Sequence, residues 1–301
     1  MRIPRKPNES RRVRSEAPPE TQRPHGKIAT VRVPRNSSAA QAGERAIELV
    51  DIDAGSVVLR DDRIGRIWRV EIQPFRIARC PVTCAQYREL LGLAPSTDND
   101  AQPQKDSDAL PVVEVSWYEA IAFCNALSAQ CGLPPCYTLS DEGTQVTFST
   151  ESDGYRLPSE AEWQYACQAG DERVRYGELD AIAWYRENSG GQRHPVGQKQ
   201  PNRWGLHDLL GNVWEWCWDL YDPQVYGEYR VFRGGGWADA HWGCTAASRR
   251  RSHPTFRIDD LGFRLARSGP ASPAQRSAEI SEANDEPSEG TRPQPTRKAK
   301  S

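Results

Sequence analysis

Alternation of apolar and polar positions marks the first elements of the chain. ELVDIDAGSVVLRD, residues 48–61, alternates on either side of Ala54-Gly55, which predicts a strand, a turn and a second strand. IWRVEIQPF, 67–75, reads as a third strand. The period then changes to that of a helix. Thr83 precedes CAQYRELL, in which Tyr87, Leu90 and Leu91 share one face, so Thr83 is placed as an N-cap. Ser116-Trp-Tyr-Glu119 is a capping box, because the serine hydroxyl and the glutamate carboxylate satisfy each other's backbone N–H groups. It opens a helix that stops near Gly132. A second box, Ser159-Glu-Ala-Glu162, opens a helix that closes at Gly170. Beyond Gly170 the periodicity nearly vanishes while Trp, Gly, Asn and Asp become dense. Seven of the ten tryptophans lie past residue 180, which predicts that aromatic packing completes the core there.

The ends of the 301-residue chain carry no such pattern. Residues 1–43 hold ten Lys/Arg against three Glu, and residues 268–301 are a mixture of Ser, Pro, Ala, Glu and Arg with five acidic and five basic side chains. Both are expected to be disordered, since neither offers apolar surface to bury. With the arm at +7, the tail neutral and the whole chain at −2, residues 44–267 carry about −9. An acidic body argues against nucleic-acid binding by the folded domain. No apolar run approaches the ~20 residues of a membrane span and no secretion signal is visible, so the expected location is cytoplasmic. Eight cysteines without CxxC or histidine pairing predict buried, reduced thiols rather than a zinc site or a disulfide framework.

Six segments occur in a specific order: PVTCAQYREL, PVVEVSWYEAIAFCNALS, YRLPSEAEWQYAC, GLHDLLGNVWEWC, VFRGGGW and DDLGFRLAR. Over about residues 46–267 the chain thereby resembles the formylglycine-generating enzyme or sulfatase-modifying-factor family. The resemblance implies an α+β domain, an irregular variant of the C-type lectin fold with short helices and little regular sheet. The family holds catalytic and non-catalytic members, so the residues of the site must decide the function.

In the catalytic members, two cysteines on the loop after a GGS-type turn bind copper(I). That resemblance places Asp239 at the first cysteine, Cys244 at the second and Gly236 at the serine. A carboxylate is a hard ligand with poor affinity for copper(I), so copper is not expected here. An iron-dependent branch uses a histidine cluster that the five histidines of this chain do not form. The loop offers Trp237, Asp239, His241, Trp242 and Cys244 as a ligand-binding lining for a peptide, a protein or a small polar ligand. The expected function is therefore a non-catalytic binding or accessory module. The alternative is an oxidoreductase of the same family acting on an unidentified substrate, for which Cys244 is the one catalytic candidate.

The resemblance also implies a calcium ion held by the side chains of Asp208 and Glu215 and the carbonyls of Gly211 and Val213. Calcium favours several oxygen donors on a flexible loop, and two carboxylates balance its charge. The other reading of these residues has Asp208 capping a turn and Glu215 paired with an arginine. Gly234–Gly236 lack the Lys-Ser/Thr of a phosphate loop, and Ser252, His253 and Asp259 come without a nucleophile elbow. Arg249-Arg250-Arg251 offers a grip for an anion, although such runs are more often ion-paired.

Overall fold

Thr83, Ser116 and Ser159 each close a capping box in the structure. A computed structural model describes residues 47–92, 107–140 and 145–269, all within one compact unit. The arm at 1–43, and the tail beyond Gly269, lie outside the described residues. The strands and helices, in chain order, are β1 (Leu49–Ile52), β2 (Gly55–Asp61), β3 (Arg66–Ile72), β4 (Phe75–Ala78), α1 (Cys84–Leu91) and α2 (Trp117–Gln130). They continue with β5 (Tyr137–Leu139), β6 (Val146–Phe148), β7 (Tyr155–Arg156), α3 (Glu160–Gln168) and α4 (Leu179–Ile182). The last are β8 (Trp214–Leu220), α5 (Pro223–Tyr226), β9 (Arg230–Arg233), β10 (Arg249–Ser252), β11 (Leu261–Gly262) and β12 (Ala266–Ser268).

The helix starts obey local chemistry. At α1, the Thr83 hydroxyl accepts from the Gln86 N–H at 3.3 Å, while the Gln86 side chain accepts from the Thr83 N–H at 2.9 Å. Ser116 with Glu119 and Ser159 with Glu162 repeat this exchange. Glu162 also takes a bidentate grip from Arg156 at 2.6 Å, so the third cap is locked to β7. The strands at 48–61 exist as expected but do not pair with each other. β1 pairs with β4, whereas β2 and β3 form their own hairpin between those partners. In β2, Val57 and Leu59 are buried and Val58 and Arg60 exposed, the alternation of a half-covered strand.

Two four-stranded sheets organise the rest, in the orders β1-β4-β12-β7 and β10-β9-β8-β11, with β5 and β6 as a further hairpin. The second sheet contains one parallel pairing, Leu261 of β11 against Trp214 of β8. β8 divides the interior. Its alternate residues Trp214 and Trp216 join an apolar cluster with Phe123, Phe232 and Phe263, while Cys217 belongs to a second cluster around Trp163 and Ile77. Aromatic completion of the core by late tryptophans is thus realised at β8. The eight cysteines are thiols, five of them buried as expected, while Cys80, Cys84 and Cys131 are only partly buried. Among the described residues, no helix is long and apolar enough to cross a membrane.

Candidate ligand site on the glycine loop, and the Asp208 turn

β9 is followed by three glycines that let two chain segments close together. Gly234 and Gly235 adopt φ of 106° and 85°, in the region that side chains disfavour. A Cβ on Gly235 would stand 2.8 Å from the Cys244 sulfur, and one on Gly236 would stand 2.8 Å from Oδ2 of Asp260. The glycines therefore admit a buried thiol on one side and a carboxylate on the other.

Asp239, 8% exposed, is clamped by three donors. Its Oδ2 accepts from Trp214 Nε1 at 2.6 Å and from the Gly236 N–H at 2.9 Å, and its Oδ1 accepts from Arg250 at 2.8 Å. The Arg250 guanidinium also lies 4.7 Å over the Trp214 ring. Asp260, also 8% exposed, forms no ion pair among the described residues. Burial, with Asp239 and Asp259 as negative neighbours, pushes its carboxyl up to about 6. Trp237 closes the loop by donating Nε1 to the Asp259 carbonyl at 3.3 Å.

The loop is braced from outside. Ser189 donates to the Trp237 carbonyl at 3.0 Å, Arg186 Nε to the Ala238 carbonyl at 2.9 Å, and Arg175 to the carbonyls of His241 and Cys244 at 2.5 and 3.1 Å. Of the five lining residues expected from sequence, Trp237 is half-buried, while His241 and Trp242 stand exposed on a short 3-10 turn. Asp239 is buried beneath them. Cys244 is fully buried, its thiol pushed up to about 12 by burial and then by Asp239. It packs against Gly235 and faces no solvent. Arg250 and Asp260, which complete the arrangement, were visible in sequence only as members of an arginine run and of the DDLGFRLAR motif. The bracing residues Arg175, Arg186 and Ser189 carried no signal.

The Asp208 turn is wound by left-handed residues at Asp208, Gly211 and Asn212, with φ of 54°, 74° and 59°. Asp208 is 1% exposed and forms no salt bridge among the described residues. Its oxygens accept from the Gly197 N–H at 2.7 Å and from Asn212 Nδ2 at 3.4 Å, and burial raises its carboxyl. A buried carboxylate without a paired cation, on a turn rich in carbonyls, suits a hard cation such as calcium. Glu215 is committed elsewhere. Its two oxygens receive Arg264 Nε and a terminal Arg264 nitrogen at 2.7 Å each, and Trp163 Nε1 adds a third bond at 2.7 Å. Arg264 goes on to the carbonyls of Ala78 and His207 at 2.9 and 2.8 Å. The pairing of Glu215 with an arginine, one of the two readings of the sequence, is present. A carboxylate has about four lone-pair sites, so one remains for an ion, but its charge is already balanced. Asp208 would be the main anionic donor, and among the described residues no group of three or more His, Cys, Asp or Glu side chains is placed to hold a metal ion.

Mixed short helices, two small sheets and long braced loops define a variant of the C-type lectin-like fold. Residues 35–269 match the sulfatase-modifying factor enzyme 1-like domain, and the chain belongs to that family. The chaperone protein LppX of Paenibacillus barcinonensis is 32% identical over 208 residues, covering 57% of this chain and 72% of that protein. The formylglycine-generating enzyme of Streptomyces coelicolor is 30% identical over 189 residues, and the chain spans only 52% of its length. Among solved structures, Treponema denticola variable protein 1 superposes with a TM-score of 0.68 at 32% identity, over 74% of this chain and 95% of that one.

Proposed function

We propose that this chain is a non-catalytic ligand- or protein-binding module on the sulfatase-modifying-factor scaffold. The loops at 234–244 and 253–260 receive a peptide, a protein or a small polar ligand, and a structural calcium rests on the Asp208 turn. One observation carries the reading. Where the family resemblance places the two copper-binding thiols, this chain has a carboxylate held by Trp214, Gly236 and Arg250, and a buried thiol whose proton is retained. Copper(I) chemistry needs two soft thiolates, and the carboxylate at the first position leaves at most one. The chaperone among the relatives shows that a similar domain can occur in a protein named for handling other proteins. Eight cysteines kept as thiols accord with a cytoplasmic setting.

The test is a copper(I) titration against a chromophoric competitor, with mass spectrometry of a cysteine peptide of the sulfatase type under copper-loaded aerobic conditions. Neither tight copper binding nor formylglycine is expected. Replacing Asp239 by Cys raises copper(I) affinity if Cys244 occupies the second position. Conversion of the peptide by the unmodified protein overturns the reading in favour of an oxidoreductase, the alternative supported by the 30% identity to a formylglycine-generating enzyme.

A further inference from the structure

β10 carries Arg249, Arg250 and Arg251 in succession, and strand alternation sends them to two faces. Arg250 joins Asp239 at the glycine loop. On the other face, Arg249 and Arg251 lie 4.0 and 4.8 Å from the centroid of the Tyr221 ring. Arg251 also sits 3.7 Å over Tyr226. Arg63, from the turn between β2 and β3, approaches the same two rings at 5.8 and 5.5 Å. Three guanidinium groups therefore share two phenol rings.

Two of the three are neutralised. Arg63 pairs with Asp222 at 2.7 Å, and Arg249 with Glu160 at 2.6 Å and Asp61 at 3.2 Å. Arg251 forms no ion pair among the described residues, and its Nε is buried without a hydrogen-bond partner. Arg76, Arg230 and Arg233 also leave Nε unpaired, but each places a terminal nitrogen on a carbonyl or carboxylate. Arg251 has no such bond among the described residues. The tyrosine rings hold its charge, yet they provide no acceptor in the plane of the guanidinium fork.

The surroundings are those of a contact surface. Ile64 and Val225, the sequence neighbours of Arg63 and Tyr226, are 53% and 61% exposed, and Tyr229 stacks on Tyr226. Tyrosine and arginine are enriched in interface hot spots, and here they stand beside two exposed aliphatic side chains. β10 is also the edge strand of its sheet, so no neighbouring strand covers its outer side.

We propose that this face docks an acidic segment of a partner protein, with one Asp or Glu carboxylate received by Arg251. Arg233 shares Glu160 with Arg249, so four guanidinium groups stand against Asp61, Glu160 and Asp222, and the one positive charge left over suits a single carboxylate better than a phosphate dianion. The exposed Ile64 and Val225 require that the carboxylate be carried by a chain with apolar neighbours rather than by a small ion.

The experiment pans a random 12-residue peptide display library on the full chain and on an Arg251→Gln variant. Peptides retained by the unmodified protein but lost by the variant should be enriched in Asp or Glu next to aliphatic residues. A synthetic peptide from that set should bind about ten- to a hundredfold more weakly to Arg251→Gln, and its Glu→Gln version should lose as much. Arg60→Gln, on the exposed side of the same hairpin, should leave binding unchanged. Melting of Arg251→Gln should fall by no more than a few degrees, since the cation–π contacts with Tyr221 and Tyr226 are lost but no ion pair is broken. Peptides that survive Arg251→Gln, or that bind equally with glutamine, overturn the proposal. Loss of binding on Asp239→Asn instead of Arg251→Gln overturns it too, and assigns the peptides to the glycine loop.

Discussion

Replacing Asp260 by Asn tests the electrostatics of the glycine loop. Asp260 is 8% exposed beside Asp239, and its carboxyl is displaced from the ordinary 3.8 to about 6. A displacement of that size corresponds to about 3 kcal/mol of penalty on the charged form. Its sign follows from proton binding. Between pH 4 and 6 the native state holds a proton on Asp260 that the unfolded chain has released, so stability falls as pH rises through this window and levels off above it. The amide of Asn is neutral at every pH and nearly the same size. Measured by urea unfolding, the stability of Asp260→Asn relative to the parent should therefore increase by about 2 kcal/mol between pH 4 and pH 7.5. Comparing the two proteins at each pH cancels the other titrating groups, including Asp219, which burial also raises to about 6. A difference that does not change with pH refutes the reasoning, because it means that Asp260 ionises in the folded protein as freely as in the unfolded one.

Arg264→Ala leaves Glu215 charged and fully buried, and denaturant unfolding should show a loss of about 3–5 kcal/mol; less than about 1 kcal/mol contradicts the pairing. Gly236→Ser drives a Cβ to 2.8 Å from Asp260 Oδ2 and should cost about 1–3 kcal/mol, with part of the loss recovered in the double variant with Asp260→Ala. Ser159→Ala removes the cap of α3 and should lower stability by about 1–2 kcal/mol in the same assay. If calcium rests on the Asp208 turn, adding calcium to about a hundredfold above Kd should raise the melting temperature by about 5–10 °C over the EGTA-treated protein. Asp208→Asn should abolish that shift, and an unchanged melt in excess EGTA with no calcium by elemental analysis removes the ion from the account.

Local patterns in the sequence were sufficient for the helix starts and for the strand alternation. Thr83, Ser116 and Ser159 cap their helices because the partner groups lie three residues away, and Val57 and Leu59 turn inward because a strand alternates whatever it packs against. The ordered motifs likewise identified the family, since they carry the glycine loop and the tryptophans of β8. Pairing was decided elsewhere. β1 and β2 are adjacent in sequence and join different sheets, because Ile52 meets Phe75 while Gly55 meets Ile72. The fates of the carboxylates were also tertiary. Glu215 meets Arg264 across 49 positions, Asp239 meets Trp214 across 25, and Asp260 is left beside Gly236 with like charges nearby. A carboxylate in a sequence is only a potential charge, and its environment depends on which guanidinium, indole or neighbouring acid the chain brings to it. Those distances are set by packing the whole domain around β8, which no local period encodes.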